Sequence, residues 1–228
     1  MLEPHETILA AVFEERDRVM SRRGLLGHSL RLAAGGALAL GLAGAPVFDR
    51  LTALAQSFTG NIDVLNYALT LEHLEYAFYR DGIGKFQFGN GPFGHSIDTD
   101  LAAIRDHEQA HVATLTKVIT QLGGTPVKEA TYNFGYGSDP KKFLATAQAL
   151  ENTGVRAYDG AGASLKSTDL LTAAGTIVAV EARHASYLNL LNGQIPFPAP
   201  FEQPATRAEV LTIAGPFIVS SGTPAAGA

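Results

Sequence analysis

The chain has 228 residues, of which 46% are hydrophobic, and a formal net charge of -5. This is enough apolar material for one well-filled globular domain with a short extra segment, and too little chain for two full domains. Negative net charge without a Lys/Arg stripe excludes nucleic acid as the main partner, and the absence of cysteine excludes disulfides, zinc-thiolate sites, iron-sulfur clusters and thiol catalysis.

At the N-terminus, Ser21-Arg22-Arg23-Gly24-Leu25-Leu26 precedes an Ala/Gly/Leu run from Leu32 to Phe48 and then Ala53-Leu54-Ala55 before Gln56. Paired arginines, a weakly apolar stretch and a small-x-small site resemble a twin-arginine export signal. Residues 1–55 are therefore expected to be a signal segment cut after Ala55. Ala43-Gly44-Ala45 is a poorer site because Pro46 follows it. Export to the periplasm or cell envelope is the expected localisation. Membrane attachment is expected only if the segment stays uncleaved, since the apolar run falls short of the roughly 20 residues a span needs.

From Ile62 the chain steps at helical spacing through Leu65, Leu69, Glu72, Tyr76 and Tyr79, with Asp63 at the positive end of the dipole and Asp81-Gly82 as the stop. Residues 82–94, rich in Gly, Phe and Asn, read as a loop. Ser96 to Asp100 supplies caps for a second helix with the seam Leu101, Ile104, Glu108, His111, Leu115, Val118 and Leu122, ended by Gly123-Gly124. Residues 123–140 have no period and read as a long crossover. Asp139-Pro140 starts a third helix along Leu144, Ala147, Glu151, Gly154, Tyr158, Ala161 and Leu165. Each of its interior glycines, Gly154, Gly160 and Gly162, costs about 1 kcal/mol against alanine, which close approach of another segment would explain. Ser167-Thr168-Asp169 opens the fourth helix, with Leu170, Ala174, Ile177, Glu181, His184, Leu188 and Leu191 on one seam and Asn192-Gly193 at its end. Four prolines between Ile195 and Pro204 predict an extended arm, and residues 206–219 allow one short helix before a disordered end.

Two helix pairs with short internal links and one long crossover between helices 2 and 3 predict an all-α, ferritin-like four-helix bundle over residues 56–193. Residues 194–228 form the Pro-rich arm. Nothing alternates over five residues, so no strand is predicted.

Helices 2 and 4 share Ile-x-x-x-Glu-x-x-His-x-x-x-Leu, so ionisable groups interrupt two apolar seams in the same frame. A Glu and a His three apart project from neighbouring turns of one face and can reach one ion. One Glu from each of two helices and Glu-x-x-His from each of the other two is the ligand inventory of di-iron and di-manganese carboxylate bundles. Glu72, Glu108, His111, Glu151, Glu181 and His184 are accordingly the candidate ligands. Four buried carboxylates would each cost several kcal/mol unpaired, and no Lys or Arg lies on any seam. Two divalent cations balance that charge, and oxygen with imidazole suits iron first, manganese next, with zinc open on ligand type alone.

Glu75 competes with Glu72, because Val64, Ala68, Leu71, Glu75 and Phe78 also step at helical spacing. Leu-Glu with a tyrosine seven places on occurs as Glu72/Tyr79 and again as Glu151/Tyr158, which favours Glu72 and leaves Glu75 beside the ligands. Tyr79 and Tyr158 read either as hydrogen-bond donors to the carboxylates or as core aromatics. His73, His95 and His107 lie off the seams and read as surface residues. Asp106 and His107 precede Glu108 and could also reach a ligand's outer side.

The segment Leu65-Asn66-Tyr67-Ala68-Leu69-Thr70-Leu71-Glu72-His73-Leu74-Glu75-Tyr76-Ala77-Phe78-Tyr79, the two Glu-x-x-His copies and the tail from Ala208-Glu209-Val210-Leu211 to Pro216-Phe217 resemble the ferritin-like domain family, which includes exported bacterial members and plant desiccation-related proteins. The resemblance implies a metal-binding protein of desiccation or oxidative stress. In it Glu108 and Glu181 bridge, His111 and His184 hold one metal each, and Glu72 and Glu151 are terminal ligands. A ferroxidase-like or peroxide-consuming oxidoreductase working on dioxygen or peroxide is the leading expectation. Manganese catalase-like disproportionation and a non-catalytic envelope protectant with structural or absent metal are the alternatives. A homo-oligomer is compatible with all of them.

Overall fold

The computed structural model describes residues 58–222, with side chains to 219; the arginine pair and the rest of the expected export segment lie outside the described residues. Residues 199–201 apart, the described residues belong to one compact unit.

Four long helices form where the caps and seams place them. α1 spans Asn61–Gly82 with Asp63 in its first turn, and α2 spans Ile97–Gln121 with the Ser96 hydroxyl accepting from the Thr99 N–H. α3, Pro140–Gly162, begins on Asp139, whose carboxylate accepts from the Lys141 and Lys142 N–H groups. α4, Thr168–Leu191, begins on Ser167, which accepts from the Leu170 N–H. Each cap satisfies donors that a helix start otherwise leaves unpaired. α1 packs along α2, α3 along α4, and the pairs meet across α1 and α3. α1 is therefore buried nearly all round, with Leu71, Leu74, Ala77 and Phe78 in the core as well as Leu65, Leu69, Glu72 and Tyr79 of the predicted seam, whose other members differ: Ile62 is exposed and Tyr76 half-buried.

The core falls into two apolar clusters. The larger holds Phe78, Tyr79, Leu101, Phe143 and Leu188; the second holds Leu65, Leu69, Leu115, Ile119 and Ile177. Phe78 stacks on Phe143 with ring centroids 4.6 Å apart and meets Phe134 and Tyr136 of the crossover edge-on. The crossover is thus anchored by aromatics spaced two apart, Tyr132, Phe134 and Tyr136, which turn inward while Asn133 and Gly135 between them are exposed, an alternation inside the stretch expected to have no period. The third seam is buried as predicted from Ala147 through Glu151, Gly154 and Tyr158 to Ala161, and its first position differs, since Phe143 is fully buried and Leu144 only partly.

Two short strands add to the helices. β1, Lys128–Tyr132 of the crossover, pairs antiparallel with β2, Ile218–Gly222 of the tail, matching Lys128 with Gly222, Thr131 with Ser220 and Tyr132 with Ile218. Residues 218–222 belong partly to the tail expected to be disordered. The register is irregular and the partners lie far apart in sequence, so neither strand shows a readable alternation.

The Pro-rich segment turns back onto α3. The Ala205 N–H donates to the Arg156 carbonyl at 2.9 Å, and a Cβ on Gly160 would lie 1.9 Å from the Ala205 carbonyl oxygen. Only glycine permits that approach, which explains its presence inside a helix. α5, Arg207–Ala214, follows with a full capping box between Thr206 and Glu209, and it buries Val210, Leu211 and Ala214. A 3-10 turn, Gly215–Phe217, leads into β2.

Candidate metal centre

Near the middle of the bundle each long helix turns its ionisable residues inward. Glu72, Glu108, Glu151 and Glu181 are 0% exposed, His184 5% and His111 9%. His111 Nδ1 lies 3.1 Å from Glu72 Oε2, 3.2 Å from Glu108 Oε2 and 3.1 Å from Glu181 Oε1. His184 Nδ1 lies 3.0 Å from Glu108 Oε1, 3.2 Å from Glu151 Oε2 and 4.0 Å from Glu181 Oε1. Both imidazoles thus face the carboxylates through the same nitrogen. The six residues form two overlapping groups, Glu72 with Glu108, His111 and Glu181, and Glu108 with Glu151, Glu181 and His184, each with ligand atoms within 4.8 Å of one another and able to hold a metal ion. Glu108 and Glu181 belong to both.

The two tyrosines bind across the repeat. The Tyr79 hydroxyl donates to Glu151 Oε1 at 2.6 Å, and the Tyr158 hydroxyl donates to Glu72 Oε1. Each tyrosine therefore holds the glutamate of the other helix pair, and each leaves the second oxygen of that glutamate facing an imidazole. Burial, then the adjacent Glu151, pushes the Tyr79 hydroxyl well above its ordinary range, and burial with Glu72 does the same for Tyr158, so both remain proton donors.

Glu75 is a fifth interior carboxylate, only 2% exposed. It belongs to neither ligand group. A Cβ on Gly154 would stand 2.9 Å from Glu75 Oε1 and 3.3 Å from Glu181 Oε2, so this glycine leaves the room that the two carboxylates occupy.

Burial raises the carboxyls of Glu75 and Glu181 well above the usual range, and the neighbouring carboxylates add to it. Burial, with Glu151 next, lifts Glu108 to about 7. For His111, burial opposes protonation, but hydrogen bonds to Glu108, Glu181 and Glu72 outweigh it and carry the group up to about 12. The same contest at His184, with Glu108 and Glu151 as partners, ends at about 9. Without a cation, then, the cluster retains protons.

The residues fit a pair of divalent ions. Glu181 Oε2 is buried without a partner, and Glu108 Oε1 and Glu181 Oε1 face only an imidazole Nδ1, at 3.0 and 3.1 Å. The ion-pair partners of the four ligand carboxylates among the described residues are His111 and His184 alone. An orphaned buried carboxylate oxygen costs several kcal/mol, and a cation between those oxygens removes that cost while the imidazoles serve as neutral donors.

The off-seam histidines divide. His95 is exposed. The His73 Nε2 lies 3.3 Å from the Val127 carbonyl oxygen, and the residue is half-buried. His107 is exposed, as expected, yet reaches the site: its Nδ1 lies 2.9 Å from His184 Nε2 and the rings are nearly parallel, 9° apart, while Asp106 beside it is exposed and paired with Arg105. Its place immediately before Glu108 is the signal available in sequence. A pocket of about 470 Å³ between α2, α4 and the loop through Phe93 ends on His107 and His184.

A helical bundle with a dry carboxylate and histidine cluster able to hold metal defines the class of ferritin-like metal proteins. The ferritin-like domain matches residues 60–194, and the chain belongs to that family. No curated protein matches the chain.

Proposed function

We propose that this protein holds two divalent metal ions, iron by preference and manganese otherwise, and carries out Fe(II)/oxygen or peroxide chemistry outside the cytoplasm in stress or desiccation protection. The carrying observation is the pair of buried carboxylates, Glu108 and Glu181, that belong to both ligand groups and meet no partner there but the two imidazoles. In this reading Glu108 and Glu181 would serve both ions, Glu72 and His111 would hold one, and Glu151 and His184 would hold the other. Oxygen and imidazole donors without thiolate favour iron or manganese. When bound, such a pair supplies electrons to dioxygen or peroxide.

The chain's own residues orient and protect. Tyr158 and Tyr79 fix one oxygen of Glu72 and of Glu151, turning the other toward the centre. Apolar layers from the two core clusters exclude bulk water, and the pocket ending on His184 gives a small oxidant an approach. The stress role follows the family resemblance. The extracytoplasmic setting follows Arg22-Arg23 and the apolar run after them. Among the described residues no helix is long and apolar enough to cross a membrane.

Elemental analysis of the natively purified protein, followed by anaerobic Fe(II) loading and exposure to air, tests the proposal. Two ions per chain and dioxygen uptake in fixed proportion to bound iron are expected. Peroxide consumption with manganese bound would assign the manganese chemistry instead. A protein that retains no metal and melts at the same temperature with and without chelator would overturn the reading.

A further inference from the structure

His184 presents Nδ1 to Glu108 and Glu151, at 3.0 and 3.2 Å, so Nδ1 is the nitrogen available to an ion. A neutral imidazole that gives Nδ1 to a cation carries its proton on Nε2, and an acceptor there fixes both tautomer and ring orientation. His107 Nδ1 occupies that position, 2.9 Å from His184 Nε2. We propose that His107 is a positioning residue that accepts a hydrogen bond from His184 Nε2–H and so holds His184 as an Nδ1 ligand for one of the two ions. The assignment rests on the metal centre proposed above.

The brace is one-sided. His111 has no hydrogen-bond partner among the described residues apart from the carboxylates that face its Nδ1. The position before Glu181 that corresponds to His107 is Val180, an aliphatic side chain that accepts nothing. The ion held by Glu151 and His184 is therefore backed by a third imidazole, and the ion held by Glu72 and His111 is not. With its Nδ1 engaged as acceptor, neutral His107 carries its own proton on Nε2. His107 also lines the pocket, which makes the braced ion the one nearer that opening.

The full chain, H107F and H107N separate the possibilities, with Co(II) and Mn(II) as probes, each titrated alone against a competing chelator and followed by helix content. Asparagine keeps an acceptor oxygen at about the level of the imidazole Nδ1, whereas phenylalanine keeps only the ring. In H107F one ion should bind about 10–100-fold more weakly while the other binds as in the wild type, and H107N should recover most of the loss. Wild-type affinity for both ions in H107F, or equal weakening of both with helix content intact, would overturn the assignment, as would an H107N that behaves like H107F. A wild-type chain that takes up neither probe would overturn the metal centre itself. Failure at His107 alone leaves that centre standing.

Discussion

The α1–α2 and α3–α4 pairs carry the same functional groups in the same order, and they differ at positions beside those groups. Three residues after the first glutamate, α1 has Glu75 and α3 has Gly154. One residue before Glu-x-x-His, α2 has His107 and α4 has Val180. The first difference is complementary, because the missing Cβ of Gly154 is the space into which Glu75 and Glu181 point. The second places an imidazole behind only one ligand histidine. A repeated Glu and Glu-x-x-His pattern yields two overlapping ligand groups, and the residues that differ around it make the two groups chemically distinct.

Breaking what the pairs share should have the largest effect. Glu108→Ala combined with His184→Ala removes a bridge and a terminal ligand, so metal analysis should find stoichiometric uptake abolished while circular dichroism finds the helices retained. Stoichiometric metal in that variant would refute the site.

Protons offer the next test. Glu75, Glu108 and Glu181 have folded-state values above the ordinary range, as do His111 and His184. The folded metal-free protein therefore binds protons more tightly than the unfolded chain. Their contribution is fully present only below the ordinary values, about 4.5 for the carboxyls and about 6.5 for the imidazoles, and is lost as pH rises through about 7 for Glu108 and about 9 for His184. The Tm of the chelator-treated protein should accordingly fall between about pH 5 and about pH 9. Metal replaces those protons, so loading should become tighter across the same range and should flatten or reverse the trend. A metal-free Tm that climbs with pH would contradict the geometry of the cluster.

Gly154→Ala attacks the difference between the pairs. Its Cβ would crowd Glu75 Oε1 at 2.9 Å, and overpacking of this kind costs about 1–3 kcal/mol in denaturant unfolding. Adding Glu75→Ala should recover much of that loss, whereas simple additivity of the two changes would show that they do not share the space.

Single hydroxyl deletions, comparable in size but confined to one hydrogen bond each, should sharpen the comparison. Tyr79→Phe and Tyr158→Phe each remove one hydrogen bond to a buried carboxylate, about 1.5–3 kcal/mol. Because the bonds cross the repeat, Tyr79→Phe should weaken the ion at Glu151 and His184, and Tyr158→Phe the ion at Glu72 and His111. Metal titrations in which both variants weaken the same ion would be inconsistent with the crossed pattern.

The four long helices were legible because Ser96, Asp139 and Ser167 are local caps and because the seams repeat within each helix. The six inward residues were legible as ionisable groups inside apolar stripes. What lay outside sequence reasoning depends on contacts between distant segments. β1 and β2 meet only after the bundle brings residues 128–132 and 218–222 together. His107 sits off the seam and gains its role from the approach of α2 to α4, which no local period encodes. Gly160 reads as a weakness within α3 until the Ala205 carbonyl is seen against it. Glu75 is buried although it steps off the Glu72 seam, because α1 is enclosed on nearly every side.

The return of residues 205–222 has a temporal consequence during biosynthesis. The crossover acquires its strand partner, and α3 its covering over Gly160, only from residues translated after all four long helices. The bundle can condense on the nascent polypeptide, yet the link between its halves is sewn down only after residue 222 has left the ribosome.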